Sequence, residues 1–210
     1  MSRAIFIIGP QGSGSSAIAG ALYHLGIHMG DRLKGSSLLN PKGHFECLEF
    51  DEIFSSINKE NITDDNLKNV KKIFSDYIGK RNKFPIWGLK LPYISSLAKF
   101  IIPIVDECRV ISIDRPAEAC IKSSMLKYPN MSRDVLEKIH NDIRTYRDFI
   151  IERYDLKNLY INYNDMTSNI SPIMDSIVRY CFEGLDFPSK EQINTAISFV
   201  DPNLNHRREL

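Results

Sequence analysis

Residues Ala4-Ile5-Phe6-Ile7-Ile8 form a short, wholly apolar, β-branched run, the pattern of a strand covered on both faces. The chain then changes character at once, because Gly9 to Ser16 is a glycine- and serine-rich turn. Ile18, Ala21, Leu22 and Leu25 follow at helical spacing, and Gly26 supplies the stop. The opening therefore reads strand, glycine loop, helix. Residues 30–43 are loop-like, and 46–57 and 64–80 read as helices, the second with Thr63 or Asp64 as N-cap. Ile86 to Lys90 is a short strand, and a helix begins at 93 and is disturbed by Pro103. Arg109 to Ile113 is a strand, Pro116 occupies a first-turn helix position, and that helix runs to about Lys127. A long polar-faced helix at 132–154, a strand at 159–162, helices at 171–183 and 189–199 and a polar tail complete the pattern. Strands alternating with helices predict an α/β fold with a mainly parallel sheet of four or five strands. Nothing divides the chain, so residues 1–210 are expected to form one domain, with 200–210 either flexible or covering a substrate.

Composition narrows the partners. Lys and Arg number 27 and Asp and Glu 26, a formal charge of +1 over 210 residues. That balance argues against a nucleic-acid polymer held by bulk charge, although a sum does not see a local cluster of cations. The apolar run at 4–8 is too short for a signal-peptide core and nothing later matches a membrane span, so the expectation is a soluble cytoplasmic protein with no membrane partner. Cys47, Cys108, Cys120 and Cys181 lie in no metal-ligand spacing, and neither do His24, His28, His44, His140 and His206. All four thiols are expected to be buried, and no metal is expected.

Candidate chemistry begins with Gly9-Pro10-Gln11-Gly12-Ser13-Gly14-Ser15-Ser16, which matches the GxxxxGxS frame of a phosphate-binding loop. Glycines let the backbone approach a phosphate, and the following helix offers unpaired N–H groups and a partial positive charge. Ser15 stands where a nucleotide-hydrolysing loop carries lysine, and without that lysine a β/γ-phosphate bond is hard to polarise. A tight strand-to-helix turn that binds nothing uses the same glycines. Farther on, Arg115 closes a strand and Ser123 lies eight positions later on the next helix. An arginine there faces the ligand crevice of an open α/β sheet, and its planar fork suits phosphate. The competing reading pairs Arg115 with Asp114 or Glu118 on the surface.

These segments together resemble the sulfotransferases that use 3′-phosphoadenosine-5′-phosphosulfate (PAPS). Gly9 to Ser16 followed by Ala21 to Gly30 resembles that family's opening, whose lysine-free loop holds the 5′-phosphosulfate, and Asn40-Pro41-Lys42-Gly43-His44-Phe45-Glu46 resembles its next segment. In this chain Gly12 stands where the family has a basic residue and Gln11 where it has proline. The arginine and serine eight apart resemble the pair that holds the 3′-phosphate. Trp87-Gly88-Leu89-Lys90-Leu91-Pro92 resembles the strand end whose lysine reaches the sulfate. Tyr160 to Met166 resembles the stretch after the last core strand, and Asp201 to Arg208 the C-terminal segment.

The resemblance implies a P-loop NTPase-like three-layer sandwich and sulfuryl transfer from PAPS to a hydroxyl or amine on a small-molecule or saccharide acceptor. It implies a donor site made of Gly9, Gln11, Gly12, Ser13, Gly14, Ser15, Ser16, Arg115, Ser123, Tyr163, Arg207 and Arg208, with Lys90 at the transferring group. The acceptor proton goes to Glu46, or secondly to His44. Two alternatives stand beside it. One is a nucleotide-dependent kinase, in which Ile104-Val105-Asp106-Glu107 imitates a magnesium-binding strand end. The other is a nucleotide-binding homologue without catalysis. Arg144, Arg147 and Arg153 read as a solvated helix face, with attraction of an anionic acceptor as the other reading.

Overall fold

The computed structural model describes residues 1–57, 64–90 and 94–201. Its centre is a four-stranded, all-parallel sheet in the order β2-β1-β3-β4, formed by β1 (Arg3–Ile8), β2 (Ile86–Lys90), β3 (Glu107–Asp114) and β4 (Lys157–Asn162). Alternation along β1 splits the apolar run between two cores, as a strand's period of two requires. Ala4, Phe6 and Ile8 join Trp87, Leu89 and Val110 on one face. That face is covered by α2 (Leu48–Ser56), α3 (Asp64–Arg81), α4 (Ile94–Ile101) and α6 (Arg133–Arg153). Ile5 and Ile7 join Ile86, Ile111, Ile113 and Ile161 on the other, under α1 (Ser15–His24), α8 (Ile170–Phe182) and α9 (Lys190–Phe199). Layers of helix, sheet and helix result, as the resemblance implies. Among the described residues no helix is long and apolar enough to cross a membrane.

The strand order sets the position of a site. β1 and β3 are neighbours, and the chain leaves β1 toward β2 on one side and β3 toward β4 on the other, so these connections diverge and open a crevice beyond the strands' carboxyl ends. Register aligns those ends: Ile7 lies beside Lys90, Ile8 beside Ser112, and Asp114 beside Asn162.

Several expectations are corrected. Pro116 is the N-cap of α5 (Ala117–Lys127), with extended backbone at ψ 131°, rather than a first-turn residue. A short helix, α7 (Tyr163–Ser168), follows β4 directly, and the Asn162 side chain caps it by accepting from the Asn164 N–H at 2.9 Å. Its six residues are too few for a periodic pattern to mark. The helix expected over 46–57 starts at Leu48, so Glu46 belongs to the extended lead-in. Cys47, Cys120 and Cys181 are buried free thiols, but Cys108 is only partly covered. Arg144 and Arg147 are not a solvated face: both bind Asp114, at 3.2 and 2.8 Å, and Arg147 is buried. Arg153 alone of the three is exposed. Thr63, Leu91, Pro92, Arg207 and Arg208 lie outside the described residues.

Candidate functional site

A cleft of about 500 Å³ opens over the carboxyl ends of the strands. Each strand feeds it: β1 through the glycine loop, β2 through Lys90, β3 through Arg115 and β4 through Tyr163. Of the residues singled out in the sequence, Gly9, Gln11, Gly12, Gly14, Ser15, Ser16, His44, Glu46, Lys90, Arg115, Ser123 and Tyr163 line it. Ser13 does not. It is fully buried, its N–H donates to the Pro10 carbonyl at 3.1 Å, and its hydroxyl has no hydrogen-bond partner among the described residues.

The loop is closely packed at all three of its glycines, and two of them, Gly12 and Gly14, have positive φ. Gly12 has φ +79°, a left-handed conformation that L side chains avoid, and a Cβ there would lie 2.7 Å from Ser123 Cβ and 2.8 Å from Ser123 Oγ. α5 thus rests directly on the loop backbone. Gly14, at φ +97°, is the N-cap of α1, and a Cβ on it would overlap the Tyr163 ring. No side chain caps α1 among the described residues, so its first N–H groups and its partial positive charge face the cleft. Arg115 donates from Nη1 to the Gly12 carbonyl at 3.2 Å, and its guanidinium lies over the Tyr163 ring, 4.6 Å from the centroid. The surface pairing considered for Arg115 is not formed, because Asp114 is taken by Arg144 and Arg147, and Glu118 by Arg133.

On the other side of the loop, Lys90 is buried at the end of β2. Its Nζ donates to Ser16 Oγ at 3.0 Å, to the His44 carbonyl at 3.1 Å and to Glu46 Oε1 at 2.9 Å. Glu46 Oε2 meets Lys34 at 3.1 Å, so one carboxylate bridges two ammonium groups. Burial alone would push the Glu46 carboxyl up, but Lys90 and Lys34 overcome it and bring the group down to about 2. Burial pushes the Lys90 ammonium down, and Glu46 restores it only in part. His44 is lowered as well, first by burial and then by Lys127, Lys90 and Lys34, against the opposing pull of Glu46. Its ring is therefore neutral at neutral pH, and Nε2 lies 3.0 Å from Ser37 Oγ.

The carboxylates of the kinase alternative are elsewhere. Asp106 and Glu107 stand at the amino end of β3, where Asp106 accepts from the Ser2 N–H and Glu107 pairs with Arg3 and Arg109. Glu107 is in register with Arg3, so the length of β1, about 16 Å, separates that end from the glycine loop.

Sequence reasoning missed Lys34, Ser124, Lys127 and Thr167. Ser124 bonds the Gln11 carbonyl at 3.5 Å and His140 Nε2 at 3.0 Å, while Lys127 and Thr167 line the cleft. Lys34 and Thr167 lie in segments with no distinguishing pattern. Ser124 and Lys127 follow Ser123 on one helix, and its direction past the loop was the only available signal.

No protein-family model matches the chain, and no curated protein matches it in sequence. Solved structures do match in shape. One is titled the sulfotransferase domain from the Synechococcus PCC 7002 olefin synthase: TM-score 0.59, 17% identity, covering 100% of this chain and 88% of that one. Another is sulfotransferase STF9 from Mycobacterium avium: TM-score 0.55, 12% identity, covering 100% of this chain and 69% of that one. With strands, glycine loop and cleft in place, these likenesses establish that the chain has the sulfotransferase fold.

Proposed function

We propose that this protein is a sulfotransferase that moves a sulfuryl group from PAPS to a hydroxyl or amine acceptor. The observation that carries the proposal is the convergence of Arg115 and Ser123 on the backbone of Gly12, beside the uncapped start of α1. A nucleotide with phosphate at both ends of its ribose needs two anion sites at one crevice, and these residues supply both. The residues fit such a ligand in charge as well. Arg115, Lys90 and Lys127 line the cleft with the helix terminus, and a few placed cations suffice for about four negative charges.

Bound there, the donor supplies an activated sulfuryl group on a phosphate leaving group. The α1 N–H groups with Ser15 and Ser16 hold the 5′ end, and Arg115 with Ser123 holds the 3′-phosphate. Lys90, already hydrogen-bonded to Ser16, sits where charge develops as the sulfur–oxygen bond to the leaving group breaks. Positive charge that Gly12 does not provide comes from Lys90 and Lys127. Glu46 keeps Lys90 protonated and aimed, and Lys34 neutralises the carboxylate as Lys90 turns to the donor. A carboxyl brought down to about 2 is a weak base, whereas the neutral His44 ring takes the acceptor proton as the acceptor oxygen or nitrogen bonds to sulfur.

Calorimetry with adenosine 3′,5′-bisphosphate tests the donor site. The expected result is binding without added magnesium that weakens about tenfold or more in Arg115→Ala. ATP binding that requires magnesium, with no response to the bisphosphate, would sink the reading. Transfer of label from radiolabelled PAPS to pooled acceptors separates an enzyme from a nucleotide binder.

A further inference from the structure

We propose that the acceptor is an alcohol on an apolar body rather than a saccharide, a statement that rests on the sulfuryl-transfer reading above. The mouth of the cleft beside His44 is built from exposed leucines. Ser37 and Asn40 exchange backbone hydrogen bonds, each 3.0 Å, so Leu38 and Leu39 form the tip of a two-residue turn. Neither has positive φ, so the turn accepts them without strain. They are 99% and 43% exposed, and both line the cleft. Leu126, 48% exposed at the end of α5, lines it as well, and Pro41 adds to the same rim. A lone exposed leucine needs no explanation, but a group of them around the opening of one cleft marks a binding mouth for apolar matter.

The turn is also tied to the reacting end. Ser37 Oγ, at the base of the leucine tip, is 3.0 Å from His44 Nε2. An apolar body seated on the leucines therefore extends inward to a hydroxyl beside His44 and Lys90. A saccharide would bring several hydroxyl groups against leucine and proline, and each hydroxyl stripped of water without a partner costs free energy. Both carboxylates that line the cleft among the described residues are engaged, Glu46 by Lys34 and Lys90 and Asp201 by Lys42.

The experiment is a chain-length series with radiolabelled PAPS: primary alcohols from butanol to octanol, beside glucose and N-acetylglucosamine. We expect kcat/KM to rise about three- to fourfold per added methylene and the sugars to fall below butanol. A triple variant, Leu38→Ser, Leu39→Ser and Leu126→Ser, should lower the octanol value by at least about tenfold and flatten the series, with bisphosphate affinity unchanged. A flat series, a preferred sugar, or a triple variant equal to the parent overturns the proposal while bisphosphate binding stands. Absence of bisphosphate binding in the parent protein overturns the sulfuryl-transfer reading itself.

Discussion

Replacing Gly12 by alanine puts a side chain where the glycine loop packs against Ser123 and the Cys120 carbonyl of α5. Two costs are readable from the structure. The left-handed φ of +79° costs a non-glycine residue about 1–2 kcal/mol. The new Cβ would lie 2.7 Å from Ser123 Cβ and 3.1 Å from the Cys120 carbonyl, and such overpacking costs about 1–3 kcal/mol. Together they predict a loss of about 2–5 kcal/mol, a large share of a typical domain's stability. Urea unfolding of parent and variant measures it. A double-mutant cycle separates the parts, because Ser123→Gly removes the Cβ and Oγ that the alanine would strike. In that background Gly12→Ala should cost mainly the backbone strain, about 1–2 kcal/mol. Bisphosphate affinity should fall in the single variant, since α5 can relieve the clash only by moving Ser123 away from the loop. A loss below about 0.5 kcal/mol, or equal losses in both backgrounds, would refute the contact and the packing argument built on it.

Other consequences follow from the charges in the cleft. Arg115→Ala should weaken bisphosphate binding about tenfold or more by calorimetry, the value of a charge-assisted hydrogen bond to phosphate, with little change in unfolding free energy. His44→Gln should lower kcat about a hundredfold or more while bisphosphate affinity is retained; unchanged kcat would remove His44 as the base. Glu46 is brought from 4.5 to about 2 on folding, so its contribution to stability is fully present above about pH 4.5 and is lost as pH falls toward 2. Acid titration of Glu46→Gln should show a shallower fall over that window than the parent. Lys90→Met leaves Glu46 buried with Lys34 alone and should destabilise by about 3–5 kcal/mol, measured in urea, as well as abolishing transfer.

The balance of the chain, +1 in all, is consistent with a cleft that concentrates cations, because acidic partners elsewhere offset them. Asp114 holds Arg144 and Arg147 beside the cleft, and Glu107 holds Arg3 and Arg109 at the opposite end of β3. A sum over the sequence reports the offset and hides the placement.

What the sequence by itself determined was local. The apolar run at 4–8, the glycine loop and the helical spacing after it dictate strand, turn and helix through steric and burial rules that act within about ten residues. That was enough for the α/β class and for all four strands, while the resemblance to the PAPS-dependent sulfotransferases supplied His44, Glu46, Lys90 and Tyr163. Strand order, register and helix placement were decided only by the tertiary structure, because they depend on which distant faces bury one another. Register made Lys90, Ile8 and Asn162 end at one rim, and the seating of α5 gave Gly12 its contact with Ser123. Lys34 carries no sequence signal at all: it matters because the chain brings it to the second oxygen of Glu46. The roles of Arg144 and Arg147 were misread for the same reason, since a helical arginine looks solvated until a carboxylate from another strand end arrives beneath it.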